Sequence, residues 1–150
     1  MYQRILDLAG VRVLHIRSDQ AFLIDTELQR LLSDASYTLI EGPTARTWDD
    51  EFRKLFKSNG FGVMQSPSMY TSIHYVALQS KKTRRACEIQ VRTLMEEVWG
   101  EVSHIIDYPH PSKDLACREQ IKVLARATST CSRLVDSIFR SHEISRPKAK

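Results

Sequence analysis

A carboxylate, an amide, a guanidinium, an imidazole and a phenol fall at alternate positions of two short segments, Tyr70–Leu78 and Ala86–Arg92. Read with a period of two, the first places Tyr70, Ser72 and His74 on one face and Ile73, Tyr75 and Ala77 on the other. The second places Glu88, Gln90 and Arg92 on one face, and Cys87, Ile89 and Val91 on the other. Both read as strands with an apolar face suited to a core and an opposite face richer in reactive groups than solvation requires. Asp7, followed by Gly10 and an apolar run, could hold a carboxylate at the mouth of the sheet, where a hard cation such as Mg²⁺ binds. Plainer readings stand beside these: any half-exposed antiparallel hairpin alternates in this way, and an Asp before a strand is often a turn residue. A single site constrains the register, because directly opposed residues share a side. The numbers of paired residues must have an even sum, as they would with His74 opposite Arg92.

The elements that position these groups are read from periodicity and punctuation. Val11–Ile16 carries apolar residues on both faces and reads as a central strand. Ser18 or Asp19 caps a helix whose stripe is Ile24, Leu28, Leu31 and Leu32 and which ends near Asp34. Tyr37–Ile40 is a short strand, and Glu41–Arg46, broken by Gly42 and Pro43, a loop. A second helix has Trp48, Phe52, Leu55 and Phe56 at helical spacing, Asp49 as its cap and Asn59-Gly60 as its stop. Arg46, Arg53, Lys54 and Lys57 cluster there, either to reach phosphates or to solvate a helix face. Phe61–Gln65 is an edge or connecting strand, and Ser66–Met69 turns into the hairpin. Beyond it, Leu94, Val98, Val102 and Ile105 form one helical row, with Met95 and Trp99 beside it, expected to pack on the sheet. Glu97, Glu101 and His104 form a second row. Tyr108–Pro111 ends that helix, and from Lys113 to about His142 the stripe Cys117, Ile121, Leu124, Thr128, Cys131, Val135 and Ile138 predicts one long amphipathic helix.

One hundred and fifty residues suit one domain that needs neither metal nor disulfide for its core. Hydrophobic residues at 42% and charged residues at 27% fit an ordinary globular protein. No apolar run is long enough to span a bilayer and the start lacks a signal peptide's apolar core, so a cytoplasmic protein with no membrane partner is expected. Cys87, Cys117 and Cys131 lack metal-ligand spacing and read as free thiols, Cys87 and Cys131 on buried faces. A net charge of +4 favours anionic partners without choosing among them.

Asp7-Leu-Ala-Gly-Val-Arg12, Tyr70-Thr-Ser-Ile-His74 and Glu88-Ile-Gln-Val-Arg-Thr93, in that order, resemble the synthetase-domain motifs of the RelA/SpoT family of alarmone (p)ppGpp synthetases. The resemblance continues through Leu94–His104 and Tyr108 and covers the chain from Tyr2 to Arg140. It implies an α/β (α+β) fold of the nucleotidyltransferase-like kind: a mixed, largely antiparallel sheet of about five strands flanked by helices, with a long C-terminal helix. The domain would span 1–142, with 143–150 a disordered basic tail. Members transfer the β,γ-pyrophosphate of ATP to the 3′ hydroxyl of GDP or GTP, using Mg²⁺. That reaction needs carboxylates for the metal, a group to activate the hydroxyl, cations for the moving polyphosphate and a flat surface for a purine. The resemblance places Asp7 and Glu88 at the metal, Glu88 also near the attacking hydroxyl, and Tyr70 under the guanine. His74, Gln90 and Arg92 would line the acceptor pocket, Arg12 would support the strand carrying the metal ligand, and His104 would help position the acceptor.

Two departures qualify the resemblance. Where the family commonly has Asn-Gly-Tyr-Arg-Ser, this chain has Ser68-Met69-Tyr70-Thr71-Ser72, without the glycine and the basic residue. The family's basic ATP-binding segment precedes the Asp7 motif, where this chain has six residues, so the donor half of the site is expected to be incomplete here. Three functions compete: a pyrophosphokinase acting on GDP, GTP or, as in a toxin branch of the family, the tRNA 3′ end; a non-catalytic guanine-nucleotide-binding module; and a basic nucleic-acid-binding protein relying on Lys81, Lys82, Arg84 and Arg85. A homo-oligomer is compatible with each.

Overall fold

The computed structural model describes residues 9–79 and 85–146. Five strands form one mixed sheet in the order β1-β5-β4-β2-β3: β1 Gly10–His15, β2 Thr38–Thr47, β3 Gly62–Gln65, β4 Ser72–Leu78 and β5 Ala86–Thr93. The three inner strands are antiparallel, while β1 runs parallel to β5 and β3 parallel to β2. The helices are α1 Gln20–Asp34, α2 Asp50–Ser58, α3 Leu94–Asp107 and α4 Leu115–Ser145. No described helix is long and apolar enough to cross a membrane.

The hairpin obeys the register that a single polar face requires. His74 lies opposite Gln90 and Ile73 opposite Val91, two residues from the His74–Arg92 pairing but on the same side of the sheet. Ile73, Tyr75, Ala77, Ile89 and Val91 then face a core closed by Ala21, Phe22, Ile24, Leu28 and Leu32 of α1 and by Phe52 and Phe56 of α2. The three cysteines are free; Cys87 packs on this core, whereas Cys131 is exposed rather than buried. Burial of the larger of these, Ile73, Ile89, Val91, Phe52 and Phe56, contributes about 1.5–3 kcal/mol each and fixes which face is left for chemistry.

Several sequence expectations change. β1 is an edge strand of the described sheet, with Val11 49% exposed. Apolar residues on both of its faces do not separate an interior strand from an edge covered in part by helices. Asp19 sits at the α1 N-cap without a capping bond, its side chain paired with Arg17. The side chain of Gln20 instead accepts from the amides of Ile16 (3.0 Å) and Arg17 (2.9 Å), and Leu31 points outward from the stripe. The expected loop Glu41–Arg46 is part of the ten-residue β2, because register shifts around Gly42 let the strand absorb the Gly-Pro pair. On α3, Leu94, Val98 and Ile105 are exposed; Glu96 and Trp99 face inward, and the helix packs chiefly on α4 through Trp99, Ile121 and Ala125.

The α4 stripe is also rotated. Ile121, Ala125, Thr128, Ser129 and Ser132 are buried, while Ile138 is exposed, and the helix runs on to Ser145. Small hydroxyl residues face inward because they satisfy polar groups below them. Ser129 donates to Asp49 (2.6 Å), Thr93 and Ser132 share a bond (3.1 Å), and Asp136 accepts from the amide of Ser18 (2.8 Å). Asp49 caps α2 as expected, accepting from the amides of Glu51 and Phe52. Burial works against its carboxylate, but these bonds and that of Arg133 outweigh it and hold the acid below its ordinary range.

Glu96 has no such partners. It is 2% exposed, neither carboxyl oxygen has a partner among the described residues, and burial together with nearby Asp49 pushes its pKa up to about 8. The native state therefore keeps a proton that the unfolded chain releases from pH 4.5 upward. Its contribution to stability is full below pH 4.5 and is lost as pH rises to about 8. Glu96→Gln should gain stability over the parent across that window, read as denaturant midpoints that separate as pH rises. Gly42 has φ +95°, and a Cβ there would collide with the carbonyl oxygen of His74. Gly42→Ala should therefore cost about 3 kcal/mol in urea unfolding.

Candidate active site

Glu88 lies on β5 opposite Val76, and its amide donates to the carbonyl of Ala9 (2.9 Å) at the start of β1. Each of its two oxygens accepts one bond. His74 Nδ1–H donates to Oε1 (2.9 Å) and Gln90 Nε2–H to Oε2 (3.0 Å), while the Tyr70 hydroxyl donates to Gln90 Oε1 (3.1 Å). Tyr70, Gln90, Glu88 and His74 thus form one hydrogen-bonded row across the polar face of the hairpin. Burial lowers the His74 pKa despite the adjoining carboxylate, so above pH 7 the ring is neutral and carries its proton on Nδ1, the tautomer this bond requires.

Tyr70 is held by a group of neighbours. The guanidinium of Arg92 lies 5.6 Å from its ring centroid, and the rings of His74 and Trp99 tilt against it at 5.6 and 6.4 Å. Burial pushes the phenol above its ordinary pKa, so it stays a donor. Arg92 is itself 5% exposed and ion-paired with Glu97 of α3. The same Glu97 takes Arg12 of β1 at 2.9 Å, and Arg12 also pairs with Glu101. Arg12 and Glu101 answer each other: the guanidinium pKa rises and the carboxyl pKa falls.

These groups line one cleft of about 760 Å³ between the sheet and α3. Every described member of the predicted set, Arg12, Tyr70, His74, Glu88, Gln90, Arg92 and His104, is on its wall; Asp7 lies outside the described residues. Of the second row of α3, Glu101 and His104 line the cleft and Glu97 and Glu101 are salt-bridged, while His104 stacks on Tyr108 at 4.9 Å. Of the four clustered cations only Arg46 lines the cleft, paired with Glu41 at 3.2 Å. It shares a face with Ser72 and His74 because β2 continues past Gly42, so reading 38–47 as one strand would have found it. Arg53 pairs with Asp50 on α2, away from the cleft with Lys54 and Lys57. Thr71, at the position where a basic residue was missed, is buried with its hydroxyl bonded to Thr47 at 2.9 Å. Of the basic hairpin turn, Lys81, Lys82 and Arg84 lie outside the described residues.

The region found in RelA and SpoT proteins matches residues 1–113. The chain belongs to the RelA/SpoT family. Among solved structures, the fold is similar to small alarmone synthetase 1 from Bacillus subtilis (18% identity, TM-score 0.63, 94% of this chain and 66% of that one). It is likewise similar to the same synthetase bound to its product pppGpp (21%, 0.60, 95% and 66%). A GTP pyrophosphokinase family protein from Streptococcus pneumoniae gives 18% identity and a TM-score of 0.63, over 95% of this chain and 68% of that one. This RelA/SpoT chain therefore spans just under two thirds of the Bacillus synthetases it matches. A comparison with curated protein sequences finds no match. These likenesses show the fold, a five-stranded sheet flanked by four helices with the long C-terminal one.

Gly100 explains how Arg92 fits beneath α3, since a Cβ there would lie 2.6 Å from its Nη1. Gly100→Ala should push the guanidinium off Tyr70 and cost about 1–2 kcal/mol. Urea unfolding and the chemical shifts of the Tyr70 ring check both parts.

Proposed function

We propose that this chain carries the acceptor half of a nucleotide pyrophosphokinase, in which a pyrophosphoryl group passes from ATP to the 3′ hydroxyl of GDP or GTP bound on Tyr70. The observation that carries this reading is the hydrogen-bonded row Tyr70–Gln90–Glu88–His74 set in a cleft with three arginines. Structures of one solved relative, bound to its product pppGpp and to AMPCPP, support nucleotides as the ligands. Tyr70 offers a ring fixed by its neighbours, and stacking of a base on such a ring is worth about 1–3 kcal/mol. Glu88, kept in place by two donors, faces the cleft with its side chain 27% exposed. It is placed to accept the proton of an attacking ribose hydroxyl or to orient that hydroxyl. Arg12 and Arg46 supply charge for phosphate oxygens, each by exchanging a protein carboxylate for one, while the buried Arg92 keeps Glu97 and adds fixed charge beside Tyr70.

The family's metal, Mg²⁺, needs hard oxygen donors and takes one or two carboxylates, completing its shell with water and phosphates. Glu88 fits this role: its oxygens face the cleft and each has one lone pair free of the bonds from His74 and Gln90. Asp7, outside the described residues, would be the second carboxylate, and Gly10, three residues further on, pairs with Glu88 across the sheet. When bound, the ion would neutralise polyphosphate charge.

A non-catalytic nucleotide-binding module is favoured by one observation, the pairing of each cleft arginine with a protein carboxylate. The two readings separate in one experiment. The purified chain is incubated with labelled ATP, Mg²⁺ and GDP, GTP or tRNA, and the label is followed into the acceptor. Under the enzyme reading, Glu88→Gln keeps nucleotide affinity within about twofold and lowers transfer by about a hundredfold or more. Tyr70→Ala weakens guanine-nucleotide binding about tenfold. Binding without transfer leaves the module; transfer undiminished in Glu88→Gln rejects the assigned role; transfer to tRNA alone replaces the acceptor.

A further inference from the structure

Arg92 also lines a second, smaller cavity of about 10 Å³, about the room of one water molecule. Its lining includes His15, Ser18, Arg92, Thr93 and Glu96. Three of these present polar atoms with no partner among the described residues: Ser18 Oγ, Arg92 Nε and both carboxyl oxygens of Glu96. A buried acid that faces an unpaired guanidinium nitrogen without forming an ion pair is an unresolved contest. Charged, it would draw Arg92 inward; neutral, it leaves Arg92 to Glu97 and to the ring of Tyr70.

We propose that Glu96 is a positioning residue for nucleotide binding: its neutral acid lets Arg92 stay over Tyr70, and its ionised form pulls the guanidinium back from the cleft. This rests on the reading of the cleft as a guanine-nucleotide site. The groups that face Glu96 come from every element packed around it. Asp49 at the start of α2 opposes its ionisation, while Arg92 of β5 and Arg133 of α4 favour it. His15 of β1 is buried, its pKa lowered below the ordinary value, and it is neutral above pH 7. Thr71, Ser72 and Thr93 line the same void and bring no charge. The balance leaves the acid titrating at about 8, within the range in which the protein can be handled. Neither His74, lowered by burial, nor Tyr70, raised by it, changes charge in that window.

The test is GDP binding to the full chain by calorimetry from pH 7 to pH 9, for the parent, Glu96→Gln and Glu96→Met. If only the neutral form binds well, the parent's affinity falls about tenfold between those limits, following the neutral fraction of an acid of pKa about 8. Both variants should bind at pH 9 as the parent does at pH 7; the methionine serves if the amide fails to fold. The infrared carbonyl band of a neutral carboxylic acid provides a reading without nucleotide: present at pH 7 in the parent, absent from both variants and from the parent at pH 9. A pH profile shared by parent and variants, or no such band, overturns the proposal while leaving the guanine-nucleotide site standing. No GDP binding by any form at either pH overturns both.

Discussion

Glu97 is the joint on which the cleft depends. One carboxylate on α3 holds Arg12 of the edge strand β1 and Arg92 of β5, so a helix and two neighbouring strands are fixed by a single side chain. The two bonds differ in kind. Arg12 is half exposed and its pairing is screened, worth at most about 1 kcal/mol. Arg92 is buried, and taking away its partner would strand a charge in the interior, a loss of about 3–5 kcal/mol. Specificity of position comes from the buried half, and the exposed half supplies a cation that can change partners.

The layer beneath the cleft is more polar than a core of this size usually tolerates. Asp49, Ser129 and Arg133 form one satisfied set, Thr47 and Thr71 another, Thr93 and Ser132 a third. Each donor has its acceptor, which makes such a layer rigid rather than weak. Glu96 is left out, along with the hydroxyl of Ser18 and Nε of Arg92. A hydrophobic residue in place of Glu96 would avoid the cost of burying an unpartnered acid, a cost this fold carries.

The site was more legible in the sequence than the frame. Alternation in Tyr70–Leu78 and Ala86–Arg92 is a strong signal because one face packs against α1 and α2 and any slip would exchange the faces. The caps and stops of α2 were visible for the same local reason: Asp49 and Gly60 act on their own neighbours. What failed needed distant partners. A Gly-Pro pair reads as a break until the register of β4 shows a bulge around it, and edge or centre for β1 is settled by strands far away in sequence. The rows on α3 and α4 were misjudged because hydrophobicity was followed where the inward face is polar: Glu96, Ser129 and Ser132 point in, while Ile105 and Ile138 point out.

The region shared with RelA and SpoT proteins ends at residue 113, and α4 begins at Leu115. Yet α4 supplies the serine that holds the α2 cap, the serine that meets the α3 cap at Thr93, and the carbonyl of Ile121 that receives the indole of Trp99 at 3.0 Å. The stretch matched as the shared region therefore leans on a helix outside it. Recombination or gene fusion that moved the shared region alone would carry the reactive side chains without the splint that aligns them. Descent would favour keeping a helix of some kind there while leaving its wording free to drift.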